Sequence, residues 1–147
     1  MQLVKFYLTV LFLTLLDQVS KYIIRHSGGF YICNGGIAFG LNMPGYVFWF
    51  IWLAIIIFIN LIIFNFQFSI FNESAISKFL ISKPVYFGLI LILAGAFSNM
   101  IDRISYGCVI DFINLSFWPI FNPADIFIAL GVILLILPNI KQEHKQK

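Results

Sequence analysis

Residues 46–66 run without a single charged side chain, and this most constrains the fold of the chain. As a helix such a run spans about 30 Å, the thickness of a bilayer's hydrocarbon core. Comparable apolar runs occupy about 5–24, 85–102 and 123–140. The whole chain of 147 residues is 61% hydrophobic and only 10% charged, with a mean hydropathy of +0.98. A water-soluble domain is nearer half apolar and about a quarter charged. A core of this length cannot hide so much apolar surface from water, so the solvent for most side chains is lipid. The expected fold is an all-α integral membrane protein with four transmembrane helices in a single polytopic domain, 1–147. A small extracytoplasmic loop or β-hairpin region accompanies the helices.

Several function classes drop out early. The nine lysines and arginines are scattered at span ends instead of clustered on one face, so no nucleic-acid partner is expected. His26 and His144 have no second ligand at metal spacing, so neither a metal nor any other cofactor is indicated. Gly28, Gly29, Gly35, Gly36 and Gly40 do not form a nucleotide-binding fingerprint; beside Asn34 they predict tight turns and a short hairpin on the bilayer. Cys33 and Cys108 fit no metal motif, and Cys33 lacks the small preceding residue of a lipoprotein cleavage site. Both read as ordinary small residues, with a disulfide between two loops as the alternative. No A-x-A cleavage site follows the first apolar run, so it reads as an uncleaved span.

The polar content concentrates in 95–125, which holds Asp102, Asp111 and Asp125, three of the four aspartates. Ionisable groups at membrane depth are costly and mark a functional site by default. Gly95, Ser98, Asn99 and Asp102 fall on one helix face, and the small residues there suit close helix packing. Asn122, Pro123 and Asp125 open the fourth span as a cap, a first-turn proline and an acid at the positive helix end. In the first span Asp17 and Lys21 are spaced i,i+4 and can neutralise one another. With four spans both termini share a side with Lys5, Lys78, Lys83, Lys141, Lys145 and Lys147; Lys21, Arg25 and Arg103 lie on the other. The excess places both termini in the cytoplasm and all four aspartates at the outer surface.

Two outer carboxylates brought together cannot both ionise cheaply. Asp111 and Asp125 therefore fit an aspartyl hydrolase, one activating water and the other protonating the leaving amide. A cap alone would account for Asp125, but not for a second acid in the same layer. Ser20 and Lys21 are adjacent and point to different helix faces, which disfavours a serine nucleophile. A proton-coupled transporter is the reading from another class; it places its acids nearer the midplane. A structural scaffold subunit would leave the Asn-Asp pairings unexplained.

The motifs in order resemble those of bacterial lipoprotein signal peptidase (signal peptidase II). D-x-x-x-K appears as Asp17 and Lys21, and N-x-G-x-A-F as Asn34, Gly36, Ala38 and Phe39. N-x-x-D-R appears as Asn99, Asp102 and Arg103, followed by G-x-V-x-D-F from Gly107 through Asp111 to Phe112. F-N-x-A-D appears as Phe121, Asn122, Ala124 and Asp125. The resemblance implies an aspartyl endopeptidase of the bacterial cytoplasmic membrane, with its active site facing outward. It would cut signal peptides from diacylglyceryl-modified prolipoproteins just before the lipidated cysteine. It implies Asp111 and Asp125 as catalytic residues and Asn34, Gly36, Asn99, Arg103, Asn122 and Ala124 as supporting ones. Asp17 and Lys21 would be structural or substrate-positioning. The partners implied are the lipid-modified prolipoprotein and membrane lipids, with no metal or cofactor; a monomer is the expected state, although the sequence itself carries no signal for it. Ser98 departs from the family pattern, which usually carries a glycine there.

Overall fold

The computed structural model describes residues 2–36, 50, 52–57, 60–61 and 83–143. Three long helices dominate: α1 (Gln2–His26), α2 (Lys83–Tyr106) and α3 (Pro123–Glu143). Two short strands, β1 (Ile32–Asn34) and β2 (Val109–Asp111), pair antiparallel. Within the expected second span, backbone at 50, 52–57 and 60–61 is helical. Most of its remainder, residues 37–49, the connector 67–82 and the tail from His144 lie outside the described residues.

Every fourth or third residue of α1 points inward: Phe6, Val10, Thr14, Asp17 and Lys21 are all buried. The opposite face shows Val4, Leu8, Leu11, Leu15 and Val19, each at least half exposed. That two-faced pattern suits a helix with protein on one side and hydrocarbon on the other. Val4–His26 and Lys83–Tyr106 are each long and apolar enough to cross a membrane, and α3 is apolar over Pro123–Ile136. The apolar core joins Phe6 and Val10 of α1 to Val85, Leu89, Ile90, Leu93 and Ala94 of α2. Trp52 packs edge-on against Phe97 at 6.0 Å between ring centroids, and Asn60 accepts a 3.3 Å hydrogen bond from Tyr7. These contacts seat the helical residues 52–57 and 60–61 on α1 and α2.

Helices α2 and α3 touch through backbone. A Cβ added at Gly88 would sit 2.8 Å from the Gly131 carbonyl oxygen, and one at Gly131 would sit 2.7 Å from that of Gly88. A Cβ at Gly95 would collide with the Ala124 carbonyl and Ile128. Small residues here bring the N-terminus of α3 against the C-terminal half of α2. At the same end, Arg25 of α1 lies over the Tyr106 ring of α2, 3.9 Å from its centroid.

Three expectations need correcting. β1 finds its partner in β2, beyond the second apolar helix, instead of in a neighbouring stretch of its own loop. Residues 32–34 have few apolar side chains to bury, so their ladder groups are satisfied by a strand already anchored in the core. Cys33 and Cys108 are not independent small residues but a disulfide, with Cα atoms 5.4 Å apart across 75 residues of sequence. Spacing alone could not reveal this, because pairing depends on the β1–β2 register. Helix α2 also runs to Tyr106, past the expected end, because the Arg103 carbonyl accepts the Gly107 N–H at 3.0 Å and closes the last turn. Gly107 supplies the positive φ (74°) that ends it.

Candidate active site

The four aspartates converge where the second half of α1, the end of α2, strand β2 and the start of α3 meet. They form two linked layers. In the inner layer Lys21 Nζ lies 2.6 Å from Asp17 Oδ2, 2.8 Å from Asp102 Oδ2 and 3.0 Å from Asn99 Oδ1. Lys21 is 2% exposed, and Asp17 and Asp102 are wholly buried. Buried charges persist where each lone pair and proton has a partner, and here nearly every atom is occupied. Asp17 Oδ1 accepts the Ala124 N–H at 2.9 Å, and Asp17 Oδ2 accepts the Ser98 hydroxyl at 2.6 Å. Asp102 Oδ2 accepts the Ile110 N–H at 3.1 Å, and Asp102 Oδ1 accepts from Gln18 Nε2 at 2.9 Å. Asp17 therefore fastens α1 to α3, and Asp102 fastens α2 to β2.

The outer layer holds Asp111 and Asp125. Asp111 ends β2 and is buried; Asp125 sits half-buried in the first turn of α3. Asn122 caps that helix through a reciprocal pair of bonds. Its side-chain oxygen accepts the Asp125 N–H at 3.0 Å, and its own N–H donates to Asp125 Oδ2 at 3.2 Å. With Pro123 lacking an N–H and Ala124 bonded to Asp17, the helix start leaves no orphan donor. The Asn122 amide then turns to Asp111 Oδ1 at 2.6 Å and to Asn99 Oδ1 at 3.2 Å. Asn99 in turn donates to Asp125 Oδ1 at 2.8 Å. Two asparagine amides thus link the carboxylates, and the same Asn99 oxygen accepts from Lys21 below.

From the sheet side, Asn34 Nδ2 donates to Asp111 Oδ2 at 2.9 Å, and its oxygen accepts the Gly36 N–H at 3.0 Å. Arg103 Nη2 holds the Gly36 carbonyl at 2.9 Å, and Nη1 the Asn99 carbonyl at 3.3 Å. Burial pushes the Asp111 carboxyl above its ordinary value, opposed by the Asn34 and Asn122 donors and reinforced by the nearby Asp125 charge. A raised acid beside a second carboxylate is an arrangement able to hold and pass a proton.

All ten residues singled out from the sequence fall in or against this cluster: Asn34, Asp111, Asn99, Asn122 and Asp125 around the carboxylates, Asp17 and Lys21 beneath, Gly36 and Arg103 at the rim. Ala124 contributes its backbone N–H, and its side chain is fully buried. Ser20 donates to the Asp17 carbonyl at 2.7 Å, so it is spent on its own helix and does not face Lys21. Sequence reasoning missed Gln18, which also donates to Ser98 O at 3.0 Å and Ser98 Oγ at 2.9 Å. Its position beside the Thr14, Asp17 and Lys21 stripe was the available signal. It also missed what Ser98 adds: a hydroxyl relay between Gln18 and Asp17 that a glycine could not make.

A sequence profile for the family described as Signal peptidase (SPase) II matches residues 9–141. A lipoprotein signal peptidase from Syntrophomonas wolfei is 37% identical, over 90% of this chain and 91% of its own. One from Pelagibacter ubique is 40% identical, over 88% and 74% respectively. A bacterial membrane enzyme solved by the in meso method at 2.3 Å superposes with a TM-score of 0.68 and 28% identity, covering 97% of this chain and 92% of that one. A second, at 1.9 Å, gives 0.63 and 28%, with 93% of each chain covered.

Proposed function

Because the chain belongs to the signal peptidase II family, we propose that it is an aspartyl endopeptidase whose catalytic pair is Asp111 and Asp125. Its substrates are diacylglyceryl-modified prolipoproteins, cut just before the lipidated cysteine. The observation that carries the reading is the linkage of these two carboxylates through the Asn122 and Asn99 amides, with Asp111 raised by burial. Like-charged neighbours in a poorly solvated pocket share a proton, and the titration belongs to the pair.

One carboxylate takes a proton from water as its oxygen attacks the scissile carbonyl; the other, protonated, supports the developing oxyanion and then protonates the departing nitrogen. The carbon–oxygen bond forms and the carbon–nitrogen bond breaks, so no further reactant is required. Asn34 and Asn122 hold both oxygens of Asp111, and Asn99 with the Asn122 N–H holds Asp125. The charges are thus oriented before substrate arrives.

In this reading the chain crosses the bacterial cytoplasmic membrane four times as one domain, both termini inside, with the carboxylate layer at the outer surface. The substrate's acyl chains remain in lipid while the scissile bond meets the pair at the interface. The test uses purified full chain and a diacylglyceryl-modified prolipoprotein in lipid or detergent, with chelator throughout. Wild type is expected to release the signal peptide, and folded Asp111→Asn and Asp125→Asn variants to lose at least about a thousandfold in rate. Retained cleavage in either variant rejects the pair.

A further inference from the structure

The bond between Cys33 and Cys108 lies on the reverse side of the same two strands that present the Asn34–Asp111 contact. Register pairs Ile32 with Asp111, Cys33 with Ile110 and Asn34 with Val109. Alternation then puts Asn34 and Asp111 on one face and both cysteines on the other. Asn34 is not directly opposite Asp111 but diagonal to it, a separation that a short amide spans only when the register holds. A slip of one residue would turn Asn34 away altogether.

The two strands are unequally anchored. β2 is buried at all three positions and bonded through Ile110 to Asp102. In β1, Ile32 and Cys33 are exposed and Asn34 is half-buried. A three-residue ladder has little stability of its own. Among the described residues, the segment around β1 is otherwise held by the Arg25 bond to Tyr31, the Asn34 bond to Asp111 and the Gly36 carbonyl at Arg103.

We infer that the Cys33–Cys108 disulfide is a positioning element of the site: it fixes β1 in register on β2 and so keeps the Asn34 amide on Asp111. The inference rests on the peptidase reading. Losing the bond frees β1 while β2 and the helices stay in place, so Asp111 Oδ2 loses its donor but keeps Asn122 on Oδ1. Cys33 is exposed while Cys108 is buried, so a soluble reductant meets the bond from the Cys33 side, which ties the site to the redox state of its compartment. The charged groups facing Asp111 are Asp125 from α3, Lys21 from α1 and Arg103 from α2. Asp125 and Lys21 make no bond to β1, whereas Arg103 holds the Gly36 carbonyl just beyond it and would lose that partner on its release.

The experiment compares five forms of the full chain in lipid on the lipidated substrate: wild type, wild type treated with a phosphine reductant, Cys33→Ser/Cys108→Ser, Asn34→Ala, and the triple variant. Maleimide labelling counts free thiols, and thermal unfolding is followed in parallel. Wild type is expected to show no free thiol before reduction. Reduction, the cysteine pair and Asn34→Ala should each lower kcat/KM about tenfold or more and shift the acid limb of the pH profile upward. The triple variant should be no worse than Asn34→Ala, because both changes remove the same contact. The inference is overturned if active wild type carries free thiols, if losses multiply in the triple variant, or if cysteine replacement lowers Tm while rate and pH profile hold. An inert wild type rejects the peptidase reading and the positioning role with it; a cleaving wild type with any of those results rejects the positioning role alone.

Discussion

Replacing Lys21 by methionine tests the logic of the inner layer most directly. Met keeps the length of the side chain but removes the cation lying within 3.0 Å of Asp17, Asp102 and Asn99. One cation and two carboxylates become two carboxylates alone, both wholly buried. Breaking a buried pair by deleting one partner costs about 3–5 kcal/mol, because the charge left behind has lost both water and counter-ion. For a chain near this length that is a fall in Tm of roughly 6–20 °C. Asp17→Asn is the informative second change, since its oxygen can keep the Ala124 N–H while its amide meets the Ser98 hydroxyl. Lys21→Met/Asp17→Asn should therefore be more stable than Lys21→Met by about 1 kcal/mol or more, although Asp17→Asn alone destabilises wild type. Thermal unfolding of detergent-solubilised protein reads all three. A cost below about 1 kcal/mol for Lys21→Met, or no rescue by the second substitution, would falsify the claim that the cation compensates these acids.

Other outcomes follow from the same geometry. Gly131→Val should cost at least about 1–3 kcal/mol by driving α3 off α2, since the Cβ would meet backbone at Gly88, which cannot step aside; thermal unfolding checks it. Ser98→Gly, which installs the residue usual in the family, should lose about 1–2 kcal/mol because Asp17 and Gln18 both forfeit their hydroxyl partner. Asn122→Ala removes the cap and the Asp111 contact together, so both Tm and cleavage rate should fall, the rate by about tenfold or more. Because burial raises the Asp111 carboxyl above its ordinary value, its contribution to folding stability is fully present below that ordinary value and is lost as pH rises through the folded one. Asp111→Asn should therefore gain in stability relative to wild type between acid and neutral pH, measured by unfolding at each pH.

Much of this was legible in the residues because the physical constraints were local. Apolar runs fix helices whose backbone must satisfy itself, and α1, α2 and α3 appear where those runs lie. Asn122 and Asp125 read as a cap because capping needs a fixed spacing, and the reciprocal bonds are formed. Asp17 and Lys21 were legible as an ion pair for the same reason. The joining of Asp17 to Ala124, of Asp102 to Ile110 and of Cys33 to Cys108 was not. Those contacts depend on how helices cross and strands align, and no periodicity within one segment encodes that. Gln18 escaped because a neutral amide in an apolar helix is usually a packing contact, and its role exists only once Ser98 and Asp102 are beside it.

The bond from the Ala124 N–H to Asp17 has a consequence for synthesis. Helix α1 is made before α3 and carries an acid whose partner on α3 lies 107 residues later in the chain. Until then the i,i+4 lysine offsets the charge of that acid within α1 itself. Closure of the inner layer is thereby deferred until α3 has been made: the acid of α1 waits for a helix start synthesised 107 residues later.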